Sequence, residues 1–190
     1  LSTTWRQSSD RHTAGQSADP ANRLIWRMNR RRLDVESWRD SILLATGQLD
    51  RSVGGKSIDP TQPEESRRTV YSKVSRLDLN PMLALFDFPD PNVHSGRRVE
   101  TTTPLQKMFV LNSPFMVHQA EALADRCMAA ADSDPKRVEW AHRTLFGRTP
   151  TVEELELAIQ FLETQDAEPG SGWTQYAQVL LASNELLMID

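Results

Sequence analysis

The sequence predicts an all-α fold: a compact domain of about six to eight helices with long irregular loops and at most one minor strand pair. Three observations carry this. A residue able to cap a helix N-terminus stands directly before proline at Asp19-Pro20, Asn80-Pro81, Thr103-Pro104, Ser113-Pro114 and Asp134-Pro135. Apolar residues recur at three- and four-residue spacing behind most of these starts. Residues 101–190 read as helix almost throughout.

Taken in order, residues 1–19 are polar and read as an arm or a cut end, and residues 20–190 as one helical domain. Asp19-Pro20 predicts a short helix carrying Leu24, Ile25 and Met28. Asp34 caps the next, with Leu33 and Trp38 placed for a hydrophobic staple; Val35, Trp38, Ile42, Ala45 and Leu49 form one apolar stripe, and Gly47 lies where the helix is expected to end. Gly54 to Arg67 is a loop by composition, and residues 70–76 fit a strand or a helix equally. Asn80-Pro81 opens a short turn of helix, and Asp87 to Glu100 is a second long loop. Loops of this length are more often functional or covered by a partner than idle. Beyond them, Thr103 to Gln106 is a capping box. Ser113-Pro114 starts a helix with Met116, Ala120, Leu123 and Cys127 on one face, and Asp134-Pro135 starts another that ends at Gly147. Thr151-x-x-Glu154 is a second capping box, and the last helix begins near Trp173.

The 190 residues suffice to bury a core, and 38% hydrophobic with 25% charged residues is a water-soluble composition. No apolar run approaches the roughly 20 residues that a spanning helix needs. The chain starts at Leu1 with no signal core, which reads as a piece of a longer protein. The single Cys127, on an apolar helix face with no His or basic run beside it, reads as a small buried residue. One cysteine also excludes an intrachain disulfide, a thiolate zinc site and a CxxCH haem attachment.

Six arginines (Arg23, Arg27, Arg30, Arg31, Arg32 and Arg39) crowd the stretch from Asn22 to Asp40. Nucleic-acid binding needs a persistent positive face, but Asp34, Glu36 and Asp40 interrupt this run and the whole chain carries a net charge of −4. The expectation is ion pairing within the protein, Arg23 and Arg27 on one helix facing Glu36 and Asp40 on the next. His118-x-x-Glu121 and Glu139-x-x-His142 lack the order and the extra carboxylates of a helical di-metal site. Asp87, Asp90 and Asn92 are oxygen ligands within six residues. They lack the spacing of a calcium loop, and turns before proline explain them equally. No nucleophile elbow, metalloprotease helix or phosphate loop is present, and most of the five tryptophans are expected in the core.

The blocks "NRLIWRMNRRRLDVESWRDSILLATGQLD", "RRTVYSKVSRLDLNPMLALFDFPDPN", "RRVETTTPLQKMFVLNSPFMVHQA" and "LFGRTPTVEELELAIQFL" with "LASNELLMID" resemble a planctomycete-type C-terminal domain of unknown function, over roughly residues 20–190. That domain is found in large exported proteins that often carry a planctomycetal cytochrome c module, and sometimes lectin-like modules, upstream. Its motifs match Asn22, Arg23, Arg30 to Leu33, Arg39, Asp40, Asp87, Pro89, Asn92, Thr101 to Gln106 and Asn112 to Pro114. Val53-Gly54-Gly55 stands where the family commonly has Met-Gly-Gly.

The resemblance implies a periplasmic, cell-surface or secreted parent, with any haem in an upstream module and no cofactor in this chain. The function expected is a non-catalytic interaction or structural module that packs on sibling domains or a cell-surface partner. The alternative is a carbohydrate-binding or carbohydrate-acting domain using the Asp87/Asp90 loop and the arginines. The candidate surface comprises Arg30, Arg31, Arg32, Arg39, Asp87, Asp90, Asn92, Thr102, Thr103 and Gln106, with no metal.

Overall fold

Helix-start chemistry decides most element boundaries in the computed structural model, which describes residues 2–3, 6–164 and 171–189. Trp5 lies outside them. Among the described residues the chain forms nine α-helices and one two-stranded antiparallel sheet: α1 (Thr13–Ala18), β1 (Arg31–Arg32), α2 (Val35–Ala45), α3 (Pro81–Leu85), α4 (Pro104–Asn112), α5 (Pro114–Ala130), α6 (Asp134–Phe146), α7 (Val152–Thr164), α8 (Ser171–Leu181), α9 (Asn184–Leu187) and β2 (Met188–Ile189). The all-α class is as expected, and the small α1 and α9 carry the count past eight.

Asn80, Thr103 and Ser113 cap α3, α4 and α5 through their side chains, each with proline in the first turn. Thr103 and Gln106 close a reciprocal capping box, as do Thr151 and Glu154 at the start of α7. Gly47 and Gly147, at φ +75° and +70°, let the chain leave α2 and α6. Two caps differ in detail: Asp34 precedes α2 without a side-chain bond, and Ser133 rather than Asp134 is the residue before α6.

Asp19-Pro20 does not start a helix. Asp19 ends α1, and residues 20–30 run as turns, with Asn22 and Ile25 at φ +51° and +54°. The competing force is local side-chain bonding. Asn22 Nδ2 donates to the Arg27 carbonyl and to Asn29 Oδ1, the Leu24 amide donates to Asp19, and Trp26 Nε1 donates to the Asp19 carbonyl. The polar stretch before it also contains α1, whose buried Gly15 lies against the Trp26 ring.

Residues 70–76 are neither a regular helix nor a regular strand. Thr69–Tyr71 form a 3₁₀ turn, and Ser72 bridges to Ile58. The strand pair places Arg31 opposite Ile189 and Arg32 opposite Met188, and the Leu33 amide extends it by donating to the Leu187 carbonyl.

The core is built around α5, whose most extensive contact is with α8. Phe115, Met116, Ala120, Leu123 and Cys127 meet Trp38, Ile42 and Leu43 of α2, Met82 and Leu83 of α3, and Ala177 and Leu181 of α8. Trp38 stacks on Phe86 at 5.0 Å, and Phe109 meets Phe86 edge-on. Cys127 is 1% exposed, and burial pushes its thiol up to about 12, so it is a packing residue rather than a nucleophile at neutral pH. The protein has no helix, among the described residues, long and apolar enough to cross a membrane.

Candidate functional site

Two of the clustered arginines are buried. Arg39 follows Trp38 on α2 and is 0% exposed. Its guanidinium donates to the carbonyls of Pro60 (3.0 Å), Arg67 (3.0 Å) and Glu65 and to Thr69 Oγ1 (3.1 Å), and it lies 4.9 Å over the Phe115 ring. Next to it, Asp40 Oδ1 accepts from the Thr69 amide and hydroxyl at 2.7 and 2.6 Å. Burial pushes Arg39 down to about 10, so it stays charged at neutral pH. The fork shape of arginine, with five donors in a plane, suits four convergent acceptors from one loop.

Arg32 organises a second cluster from β1, where it stands opposite Met188. It donates to Asp87 Oδ2 (2.5 Å), Gln106 Oε1 (3.0 Å), the Phe86 carbonyl (3.4 Å) and the Thr101 carbonyl. Asp87 in turn accepts from the Thr101 amide (2.9 Å) and hydroxyl (2.8 Å), and holds φ +62°. Gln106 completes the cluster, donating to the Leu85 carbonyl while its oxygen also accepts from the Thr103 amide. β1, the end of α3, the Thr101 loop and the start of α4 thus meet at one polar centre.

Burial opposes ionisation of Asp87, but the Thr101 and Arg32 bonds outweigh it and hold its carboxyl below the ordinary 3.8. The folded value lies below the unfolded one, so its stabilisation is complete above about pH 4 and is lost as pH falls through the depressed folded value. Asp87→Asn should therefore flatten the acid limb of a stability-versus-pH curve measured by urea unfolding. An unchanged acid limb would show that this carboxylate contributes nothing.

The remaining candidates scatter. Arg31 is exposed, Arg30 Nε donates to Ser9 Oγ, Thr102 is exposed, and Thr103 caps α4. Asp90 accepts from the Asn92 amide and side chain in an exposed turn, and Asn92 Nδ2 also reaches the Arg76 carbonyl at 2.8 Å. The expected pairing of Arg23 and Arg27 with Glu36 and Asp40 does not form, because residues 20–30 are not helical. Instead Arg98, from the 87–100 loop, grips Glu36 with two bonds of 2.7 and 2.8 Å, and Asp40 serves Thr69 and Arg68.

One further group of side chains went unrecognised in the sequence. α6, α7 and α8 enclose a cleft of about 300 Å³ whose lining includes His142, Glu154, Leu157, Phe161, Tyr176 and Val179. His142 is 3% exposed, its Nε2 lies 3.2 Å from the Tyr176 hydroxyl, and its Nδ1 lies 4.0 Å from Glu154 Oε2 with no hydrogen-bond partner among the described residues. Glu154 is held by two bonds from Arg148 and one from the Thr151 amide, and Arg148 also pairs with Glu185 of α9. The Arg148 bonds draw the Glu154 carboxyl down to about 2, while burial lowers the His142 pKa and leaves its ring neutral at pH 7. His142 and Tyr176 stand 34 positions apart, and no periodic signal joins them.

Nothing among curated proteins or solved structures matches the chain. A family does match over residues 1–162, so it takes in the polar N-terminal stretch and stops before α8, unlike the 20–190 span of the motif blocks. With the match covering most of its length, including Arg32, Arg39, Asp87 and Gln106, the chain belongs to the family described as PSD1, protein of unknown function (DUF1553).

Proposed function

We propose that the chain is a non-catalytic interaction module that docks on other domains of an exported parent protein or on a cell-surface partner through its two long loops. The carrying observation is where exposed apolar side chains fall. Val53 (91% exposed) stands just before the 54–67 loop, Leu77 (98%) on the bends that lead into α3, and Val93 and Val99, also well exposed, on the 87–100 loop. The Asn92–Arg76 bond brings the residues beside Val93 and Leu77 together, so that these two form neighbouring contacts. Apolar groups held out on braced loops suit a surface that another protein covers.

The polar residues that suggested chemistry support the same reading. Arg32, Arg39, Asp87 and Gln106 direct their donors and acceptors at the backbone and at each other. The resemblance of the motif blocks supports an exported multidomain parent, with haem, where present, in an upstream module and none here.

The test is association with the separately produced remainder of the parent, followed by analytical ultracentrifugation. Leu77→Asp/Val93→Asp should weaken it at least about tenfold without moving the melting temperature. Association unaffected by the double substitution would sink the reading. Retention of a glycan that is lost in Asp90→Ala would favour the carbohydrate-binding alternative instead.

A further inference from the structure

Arg27 is the exception among the arginines that are buried or half-buried. Every other one donates to a carbonyl or carboxylate oxygen at 3.0 Å or closer. The Arg27 guanidinium makes one bond, 3.5 Å long and to the carbonyl of its neighbour Met28, and among the described residues it forms no ion pair. It rests instead on the Trp26 ring, 5.4 Å from the centroid. A partly desolvated charge is costly until a counter-charge is supplied.

The chain builds this position at some expense. The Asn22 side chain donates to the Arg27 carbonyl (2.9 Å) and accepts from its amide (3.3 Å). The same turn holds Ile25 at φ +54°, a costly conformation for a β-branched residue. Arg27, Asn29 and Arg30 then line one cavity of about 400 Å³ together with Ser9, Asp10 and Arg11. Two bonds clamp these segments to each other: the Met28 amide donates to the Ser8 carbonyl (3.0 Å) and Arg30 Nε to Ser9 Oγ (2.9 Å). His12 and the buried Gly15 meet the Trp26 ring, which holds the N-terminal segment in place a second time.

Three guanidinium groups line the cavity against one carboxylate, and neither Arg11 nor Asp10 forms an ion pair among the described residues. Asn29 Oδ1 is taken by Asn22, so its amide remains as a neutral donor. The lining is therefore positive and rich in donors. A tetrahedral oxyanion offers oxygens to several guanidinium forks at once, where a carboxylate offers two. We propose that this cavity binds a phosphate or sulfate group, free or carried on a small polar molecule, with Arg27 and Arg11 donating to its oxygens. The site is separate from the loop surface and does not rest on the docking reading.

Inorganic phosphate, inorganic sulfate and glucose 6-phosphate are the probes, titrated by calorimetry at an ionic strength held constant with sodium chloride. Saturable binding of at least one, with a Kd of about 1 mM or tighter, is the expected result. Tighter binding of glucose 6-phosphate than of phosphate assigns the site to an ester, and the reverse order to the free ion. Arg27→Gln and Arg11→Gln should each weaken binding about tenfold, and Asp10→Asn should tighten it about threefold. Arg143→Gln, at an exposed arginine of α6 paired with Glu139, should leave it unchanged. Arg11 is exposed, so its variant reports on binding with the fold intact even where Arg27→Gln lowers the melting temperature. Absence of saturable binding by all three probes overturns the proposal. Binding that survives both glutamine variants of Arg11 and Arg27, or that Arg143→Gln weakens as much, overturns it equally, because the anion then sits elsewhere.

Discussion

Arg39→Ala is expected to destabilise the protein by about 3–5 kcal/mol, among the largest effects of any single substitution here. The side chain is 0% exposed and its removal leaves the carbonyls of Pro60, Glu65 and Arg67 and the Thr69 hydroxyl without their donor. Each buried acceptor stripped of its partner bears a desolvation cost, and a cavity opens over Phe115. Arg39→Lys should recover only part of the loss, since an ammonium cannot reach four acceptors spread across a planar fork. Urea unfolding gives the stability, and hydrogen exchange of amides 59–69 should show that loop opening first. If both variants keep wild-type stability while a polyanion no longer binds, Arg39 is a ligand residue and the structural assignment fails.

Arg32 and Asp87 carry the second large effect. Arg32→Ala strips Asp87 of its ion pair and Gln106 of a donor. Asp87→Ala leaves a guanidinium, 6% exposed in its side chain, without a counter-charge. Each should cost about 3–5 kcal/mol. Arg32→Ala/Asp87→Ala should cost well under the sum of the two, with a coupling of roughly 1–3 kcal/mol, because the second substitution removes a charge the first has already orphaned. A double-mutant cycle in urea reads the coupling, and additive losses would refute the pair as an energetic unit. Arg31→Ala supplies the control: one position away but on the exposed face of β1, it should change stability by less than about 0.5 kcal/mol.

That contrast shows what the arginine cluster concealed in sequence. Arg31 and Arg32 are chemically identical neighbours, and only the two-residue alternation of a strand sends one outward and one inward. Pairing with Met188–Ile189, more than 150 residues along the chain, places that strand. The partners of Glu36 were equally hidden. A helical reading of residues 20–30 put Arg23 and Arg27 opposite it, whereas Asn22 and Asp19 hold that stretch in turns, and Arg98 arrives from a distant loop.

The candidate site was legible in part. Residue type points to Asp87, Gln106 and Arg32 one by one, and the structure joins them. The same residue types point to Asp90, Thr102 and Arg31, which stay at the surface. Residue type alone does not separate these groups, because burial is set by tertiary contacts such as those of Phe86 with Trp38 and Phe109. Sequence spacing pairs His142 with Glu139, whereas the structure gives Glu139 to Arg143 and sets His142 beside Tyr176 of α8.

The sequence by itself determined the all-α class, the starts of α3, α4, α5 and α7, the glycine ends of α2 and α6, and the burial of Trp38 and Cys127. All of these rest on interactions within a turn or two of chain: caps, proline at the first position, and apolar residues at helical spacing. Tertiary structure alone decided which arginine is buried, which acid each one meets, and that a neutral histidine stands over an apolar cleft. Those contacts join residues tens of positions apart, and no local rule ranks the possible partners. The ranking comes from the free energy of enclosing a charge, which favours whichever arrangement satisfies the most donors and acceptors at once.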